Sequence, residues 1–462
     1  MNELIKSVAR FGWAMSLFGV QQLANTLSPS PARQQQQPPH DPRGAFDSVA
    51  RAAEEQLSES TKSAFRTGDQ LQRGLVDLMF NLLTPQAFTP RGMARAALDV
   101  LQQSAAALRL VSPGLESRLA WQEFQNKLQA FNQFERVDQL PGLPSDGTIQ
   151  LPELIRRADT LDPYLFVWAT EGLGHYYAET VWEQRGEPRQ LLTDESARDL
   201  PEKTFAALHA GMGLAFANRL LGTINSANAR DDTSRALRRF VALCRENSRP
   251  GYTGAAFEAL GLVARNLYPQ LLHLIDRQLM EAEENLQPYF WHGVGRAIYF
   301  APTNFLSRAG SSWRAVLMTQ EEPPHELGKR NALHGLIWAL TLVNIREPEI
   351  LEAFLQQYGA RLPESEAFSG GVSSALIIWR DSTVEDPSLR RFYQHQPDSD
   401  DPHLVQLWAD LVRQPATEAL QNFYPVLKKH ERLGEVFRCQ SLVSLVDELE
   451  RGTRSDTVEA GT

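Results

Sequence analysis

Glu171-Gly172-Leu173-Gly174 is the first of six related stretches that decide the architecture of this chain. Ala210-Gly211-Met212-Gly213, Glu258-Ala259-Leu260-Gly261, His292-Gly293-Val294-Gly295, His334-Gly335-Leu336-Ile337 and Gly370-Gly371-Val372-Ser373 follow it. Their first residues stand at 171, 210, 258, 292, 334 and 370, so the gaps are 39, 48, 34, 42 and 36 residues. Recurrence over such lengths marks stacked helical units, each too small to bury its own apolar face. A dinucleotide loop would need a preceding strand and a third glycine, and it would not recur six times. Close helix packing explains the repetition better, because glycine inside a helix costs about 1 kcal/mol relative to alanine and contact must offset that. Gly172, Gly174, Gly211, Gly213, Gly261, Gly293 and Gly295 are therefore expected within helices, at helix–helix contacts.

The surrounding pattern agrees with helix. Leu208–Leu221 and Tyr252–Leu279 are too long for typical strands, and Asp231-Asp232-Thr233-Ser234 reads as a helix start. The fold class that follows is all-α: a six-unit helical-repeat body over residues 151–380, either a solenoid or a closed α/α toroid. An N-terminal helical subdomain is expected over 45–137, from apolar residues at spacings of three and four. Proline and glycine between Val137 and Gln150 separate the two. Residues 28–44, with five prolines and the run Gln34–Gln37, form a linker. Ahead of it, residues 1–27 contain the apolar run Phe11–Val20, too short to span a bilayer and without a convincing cleavage site. A helix docked on the protein's own core is the default there, with a membrane or partner surface as the alternative. After the repeats come C-terminal helices over 381–450, with segments at Val405–Leu411 and Ala416–Leu427 and a closing helix at Val436–Leu449. A polar tail over 451–462 is expected to fray.

With 462 residues, 42% of them hydrophobic, the chain can bury a large core. A formal charge of −10 argues against nucleic acid as the main partner. Two cysteines, Cys244 and Cys439, lie in no redox or metal motif, which suits a reducing cytoplasm.

The first position of the glycine motif is the candidate site. Equivalent positions of stacked units line one surface, so Glu171, Glu258, His292 and His334 are expected to face a common cavity, with Arg296 nearby. His175, just after the first copy, and His209, one residue before the second, join this candidate lining. Two carboxylates and two imidazoles suit acid–base work. No compact spacing such as His-Glu-x-x-His is present, so neither a metal nor a cofactor is expected. Each polar group capping or bonding its own helix is the structural alternative. Aromatic residues crowd the same blocks, among them Trp168, Trp291, Trp338 and Trp379. Most belong to a core, although an aromatic wall would also suit an elongated apolar ligand. Asp231-Asp232 and Asp398–Asp401 read as caps or turns, so a diphosphate-dependent cyclase is poorly supported.

Tyr164-Leu-Phe-Val-Trp-Ala-Thr-Glu171-Gly-Leu-Gly174 and Trp291-His-Gly-Val-Gly-Arg296-Ala-Ile-Tyr-Phe300 resemble an uncharacterised family of enediyne biosynthesis accessory proteins, over about residues 151–380. The resemblance implies a bacterial natural-product setting that handles polyene or polyketide chains, and carries no reaction or catalytic residues with it. The functional expectation is an accessory protein binding an elongated apolar intermediate, or a biosynthetic protein partner, in a repeat cavity. An enzyme that cyclises or processes such a chain with the Glu/His/Arg set is the second reading, and a pure interaction scaffold the third.

Overall fold

Helix follows helix from Leu115 onward in the computed structural model, which describes residues 115–135, 150–225, 228–301, 304, 311–363, 365–383 and 386–459. The expected N-terminal helix (1–27), the linker (28–44) and most of the 45–137 subdomain lie outside the described residues. Among the described residues there is no strand, and the fold is all-α. All of them belong to one unit, Leu115–Thr462.

Six inner helices carry the six glycine motifs: α3 (Pro163–Arg185), α4 (Phe205–Leu221), α6 (Thr253–Leu267), α8 (Gln287–Tyr299), α10 (Glu326–Val343) and α12 (Ser365–Ser382). Return helices α5 (Ala229–Asn247), α7 (Leu272–Ala282), α9 (Ser311–Glu321) and α11 (Pro348–Tyr358) join most of them. The sequence of the two sets differs as their places do. In α10, residues from Asn331 to Val343 are buried without interruption, whereas α5 buries one stripe, including Leu237, Phe240, Val241 and Cys244. A helix apolar all round is interior, and a striped one covers it.

Like ends of neighbouring inner helices meet. Arg219, late in α4, bonds Glu179 and Glu183, late in α3. Early residues pair likewise: His209 stacks on Tyr252, Phe257 meets Tyr289, and Arg330 bonds Glu366. Successive inner helices therefore run parallel, and the return helices reverse the chain between them.

The glycines set how closely they approach. In four units the second-position glycine lies over the backbone carbonyl of the preceding unit's first residue: Gly211 over Glu171, Gly293 over Glu258, Gly335 over His292 and Gly371 over His334. Fourth-position Gly174, Gly213, Gly261 and Gly295 lie over carbonyls of Leu208, Ala256, Phe290 and Ala332, each two residues before the next motif. A Cβ at any of these places would overlap main chain. Such approach is where Cα–H···O=C contacts recur between helices. The end of α12 reaches the start of α3, where the rings of Trp379 and Tyr164 are 5.9 Å apart.

The ends of the body depart from the sequence reading. Helix α1 (Leu115–Glu135), grouped by pattern with the segment before it, packs on α3, α10 and α11. It is anchored by Asn126, which bonds Asn344 at 3.0 Å and Glu347 at 2.8 Å. The short α2 (Leu151–Ala158) then leads into the repeat body. After α12 and α13 (Pro387–Gln394), residues 402–429 form one helix, α14, rather than two. It widens into π turns at Ala409–Arg413 and Ala419–Phe423, just before Pro415 and Pro425, which lack the N–H that a regular turn needs. The closing helix does not begin at Val436. A 3₁₀ turn occupies Leu433–Phe437, Arg438 is extended, and α15 runs from Leu442 to Glu459. Helix thus continues through most of the stretch expected to fray.

Candidate functional site

One turn from each of four inner helices brings the first-position side chains together. Because each motif sits where its helix crosses the next, Glu171 (α3), Glu258 (α6), His292 (α8) and His334 (α10) occupy the same level of the stack. Arg296 joins them because it lies one helical turn after His292 on the same face of α8. All five are at most 5% exposed.

The arginine bridges the two glutamates. Its Nη2 donates to both carboxylate oxygens of Glu171, at 2.6 and 2.7 Å, and Nη1 stands 3.6 Å from Glu258 Oε2. His292 Nδ1 is 3.3 Å from Glu258 Oε1, within ion-pair range but out of line for a hydrogen bond. The His292 and His334 rings are 5.0 Å apart, and His334 Nε2 is 3.2 Å from Ser374 Oγ on α12. Trp338, one turn after His334, lies under the Arg296 guanidinium at 5.1 Å. Phe437, from the 3₁₀ turn after α14, closes the group, with ring centroids 6.0 Å from His292 and 5.8 Å from Trp338.

The charges are unevenly shared. Burial raises the Glu171 carboxyl above its ordinary value; Arg296 offsets only part of this, and the Glu258 charge adds to it. Burial acts upward on Glu258 too, but Arg296 and His292 together hold it below the usual range. Arg296 is raised, since its two carboxylates outweigh its own desolvation. Burial, with His292 alongside, drives His334 well below the ordinary imidazole value, against an opposing bond to Gly370. Hydrogen-bonding capacity nevertheless goes unused here. No well-aligned hydrogen bond reaches either oxygen of Glu258, either ring nitrogen of His292, Nε of Arg296, Nδ1 of His334 or Nε1 of Trp338, although Glu258 keeps its close polar contacts with His292 and Arg296.

The two remaining candidates lie elsewhere. His209 precedes its motif position by one residue, which turns it about 100° round the helix. Its Nδ1 lies 2.6 Å from the Phe205 carbonyl and its Nε2 accepts from the Arg249 N–H at 2.9 Å, so it ties the start of α4 to the turn before α6. His175 is buried against Phe134 of α1, with ring centroids 5.8 Å apart. The five clustered side chains pack on one another and on Trp338 and Phe437. A cavity with room for about one water lies among Glu123, Lys127, Tyr299, Asn304, Leu336 and Phe354. Among the described residues no group of His, Cys, Asp or Glu is arranged to hold a metal ion, and no helix is long and apolar enough to cross a membrane.

Trp338 and Ser374 were within reach of the sequence. Each stands four residues after a first position, as Arg296 and His175 do, so extending the repeat register by one turn finds them. Phe437 belongs to no repeat and carries no such signal. Nor does a second polar group, where Asp381 at the end of α12 accepts from Lys428 at 2.8 Å, Tyr252 at 3.2 Å and Tyr424 at 3.3 Å. These groups are spent on one another. Burial, together with Asp381, raises the Tyr252 hydroxyl, and Asp381 raises the Lys428 ammonium against burial, so neither is activated at neutral pH. Comparison of the chain with family models, with curated proteins and with solved structures finds no match.

Proposed function

We propose that this chain is a non-catalytic binding protein whose recognition site is the cluster of Glu171, Glu258, His292, Arg296 and His334. The observation that carries the reading is the unused hydrogen-bonding capacity of Glu258 and His292 beside the Trp338 and Phe437 rings. Buried polar groups in a purely structural core are ordinarily paired, and a few convergent polar groups against an aromatic wall are the usual composition of a ligand site. The natural-product setting, with an elongated apolar intermediate as ligand, rests on the resemblance of the glycine blocks alone.

Mass spectrometry of small molecules that co-purify with the protein tests this reading. A bound apolar molecule retained by the wild type and lost from Glu258→Gln supports it. If neither protein carries one, and Glu258→Gln is simply more stable, the cluster is a buried packing element and the scaffold reading takes over. The processing-enzyme reading is favoured by one contact, His334 to Ser374, which extends the cluster into a line of proton-exchanging groups. Turnover of a co-purified molecule by wild type but not by His334→Gln would establish it.

A further inference from the structure

The cluster is roofed by a single layer of chain. Residues 430–441 link α14 to α15, and in this stretch Leu433, Gly434, Val436 and Phe437 face inward while Glu431 is exposed and Arg432, Glu435 and Arg438 are half-buried. The Tyr289 hydroxyl bonds Glu435 and the Arg438 guanidinium lies over the Tyr289 ring, 5.5 Å from its centroid. The Gly434 N–H donates to the Gly251 carbonyl, and the Cys439 N–H to Asn331 Oδ1 at 2.7 Å. Glu431 sits in the left-handed region, with φ of 55°, where the chain turns out of α14. Directly beneath, Phe437 touches His292 and Trp338.

A phenyl ring is a poor partner for what it covers. His292 and Trp338 pack against it, and Glu258 stands behind His292; none of the three has a well-aligned hydrogen bond at its polar atoms, and burying polar groups in that condition is costly. The unpaired atoms are of both kinds: the two Glu258 oxygens accept, while Arg296 Nε and Trp338 Nε1 donate.

Resting on the binding reading above, we propose that residues 430–441 are a strap whose Phe437 plugs a latent site. When the strap lifts, the site takes a flat aromatic or conjugated group bearing a hydroxyl or ammonium donor. The ring or conjugated segment takes the place of the Phe437 phenyl against Trp338, and the donor end reaches Glu258.

Hydrogen exchange on the full-length chain, read by mass spectrometry, tests the strap. Amides of 433–440 should exchange roughly a hundredfold faster than those of α8, because a strap opens without global unfolding. Equal protection of the two segments would overturn the plug, while leaving the co-purification result to stand or fall by itself. Phe437→Ala tests the ligand class with phenethylamine as probe. It should raise the melting temperature of this variant, but not that of Phe392→Ala, which loses a buried phenylalanine elsewhere, and Glu258→Gln should abolish the effect. Equal stabilisation by 3-phenylpropionate, or of Phe392→Ala, would show a nonspecific cavity and sink the proposal. Should Phe437→Ala fail to fold, the exchange measurement on the wild type still decides.

Discussion

Replacing Gly293 by alanine adds one methyl group at the crossing of α6 and α8. The new Cβ would overlap the Glu258 carbonyl oxygen and stand 2.9 Å from the Leu262 nitrogen and 3.1 Å from the Glu258 carbonyl carbon. These are all main-chain atoms of α6, so no rotamer change relieves the overlap. The helices must separate by about an ångström to restore an ordinary C···O contact of about 3.3–3.6 Å. Overpacking of this kind costs about 1–3 kcal/mol, and contact with rigid backbone places it at the upper end. Alanine returns about 1 kcal/mol of helix propensity. A net loss of about 2 kcal/mol is expected, which in a domain of this size lowers the melting temperature by roughly 4 °C. Gly452→Ala is the control, because that glycine lies in α15 with nothing near its would-be Cβ; it should melt at or slightly above wild type. Calorimetry on the three proteins decides. A Gly293→Ala protein that melts with Gly452→Ala would refute the close-packing argument for the whole repeat.

Acid should weaken the fold. His334 is held well below the ordinary imidazole value by burial, and burial holds His209 at about 4. Both bind protons more readily unfolded, so stability is full above about pH 6.5 and declines from there towards about pH 4. Glu171, raised in the fold, works in the opposite sense. A melting temperature unchanged between pH 7.5 and 5 would contradict the burial of neutral histidine. Arg296→Met strands two buried carboxylates and should cost about 3–5 kcal/mol in denaturant unfolding. Adding Glu171→Leu should recover a substantial part, and no recovery would mean that the two do not act as a pair. Asp381→Ala should cost about 3 kcal/mol by stranding its partners, while Glu366→Ala, which removes the exposed partner of Arg330, should cost under about 1 kcal/mol. Equal effects in urea would overturn the difference drawn between the buried and exposed pairs.

The repeat was legible because its cause is local. A glycine that must admit a neighbouring carbonyl recurs wherever a crossing recurs, and the six copies mark the six inner helices. The meeting of Glu171, Glu258, His292, Arg296 and His334 followed from the same register. What escaped was anything set by contact between distant, non-repeating segments. His209 shares its motif with a first position but faces another way, a distinction of one residue on a helix. Phe437 reaches the cluster from a segment with no counterpart in any unit. The helix Leu115–Glu135 has the same amphipathic pattern as the residues before it, and only its contacts with α3 and α10 show which body it joins. The glycines that align the first positions also draw the helices close enough for Arg296 to meet both glutamates.

Close packing alone does not require polar first positions. Ala210 and Gly370 occupy that place in the second and sixth units, and where a second-position glycine does rest on a first position, it rests on the backbone carbonyl, which every residue has. A sequence shaped only by helix contact could carry alanine at 171, 258, 292 and 334 and keep the same crossings. It would also avoid enclosing two carboxylates, a guanidinium and two imidazoles, each costly to remove from water. The polar residues are confined to units whose first positions converge beneath Phe437 and around Arg296. Charged groups that packing does not need, gathered at one point, are the ground for proposing that the cluster recognises a ligand.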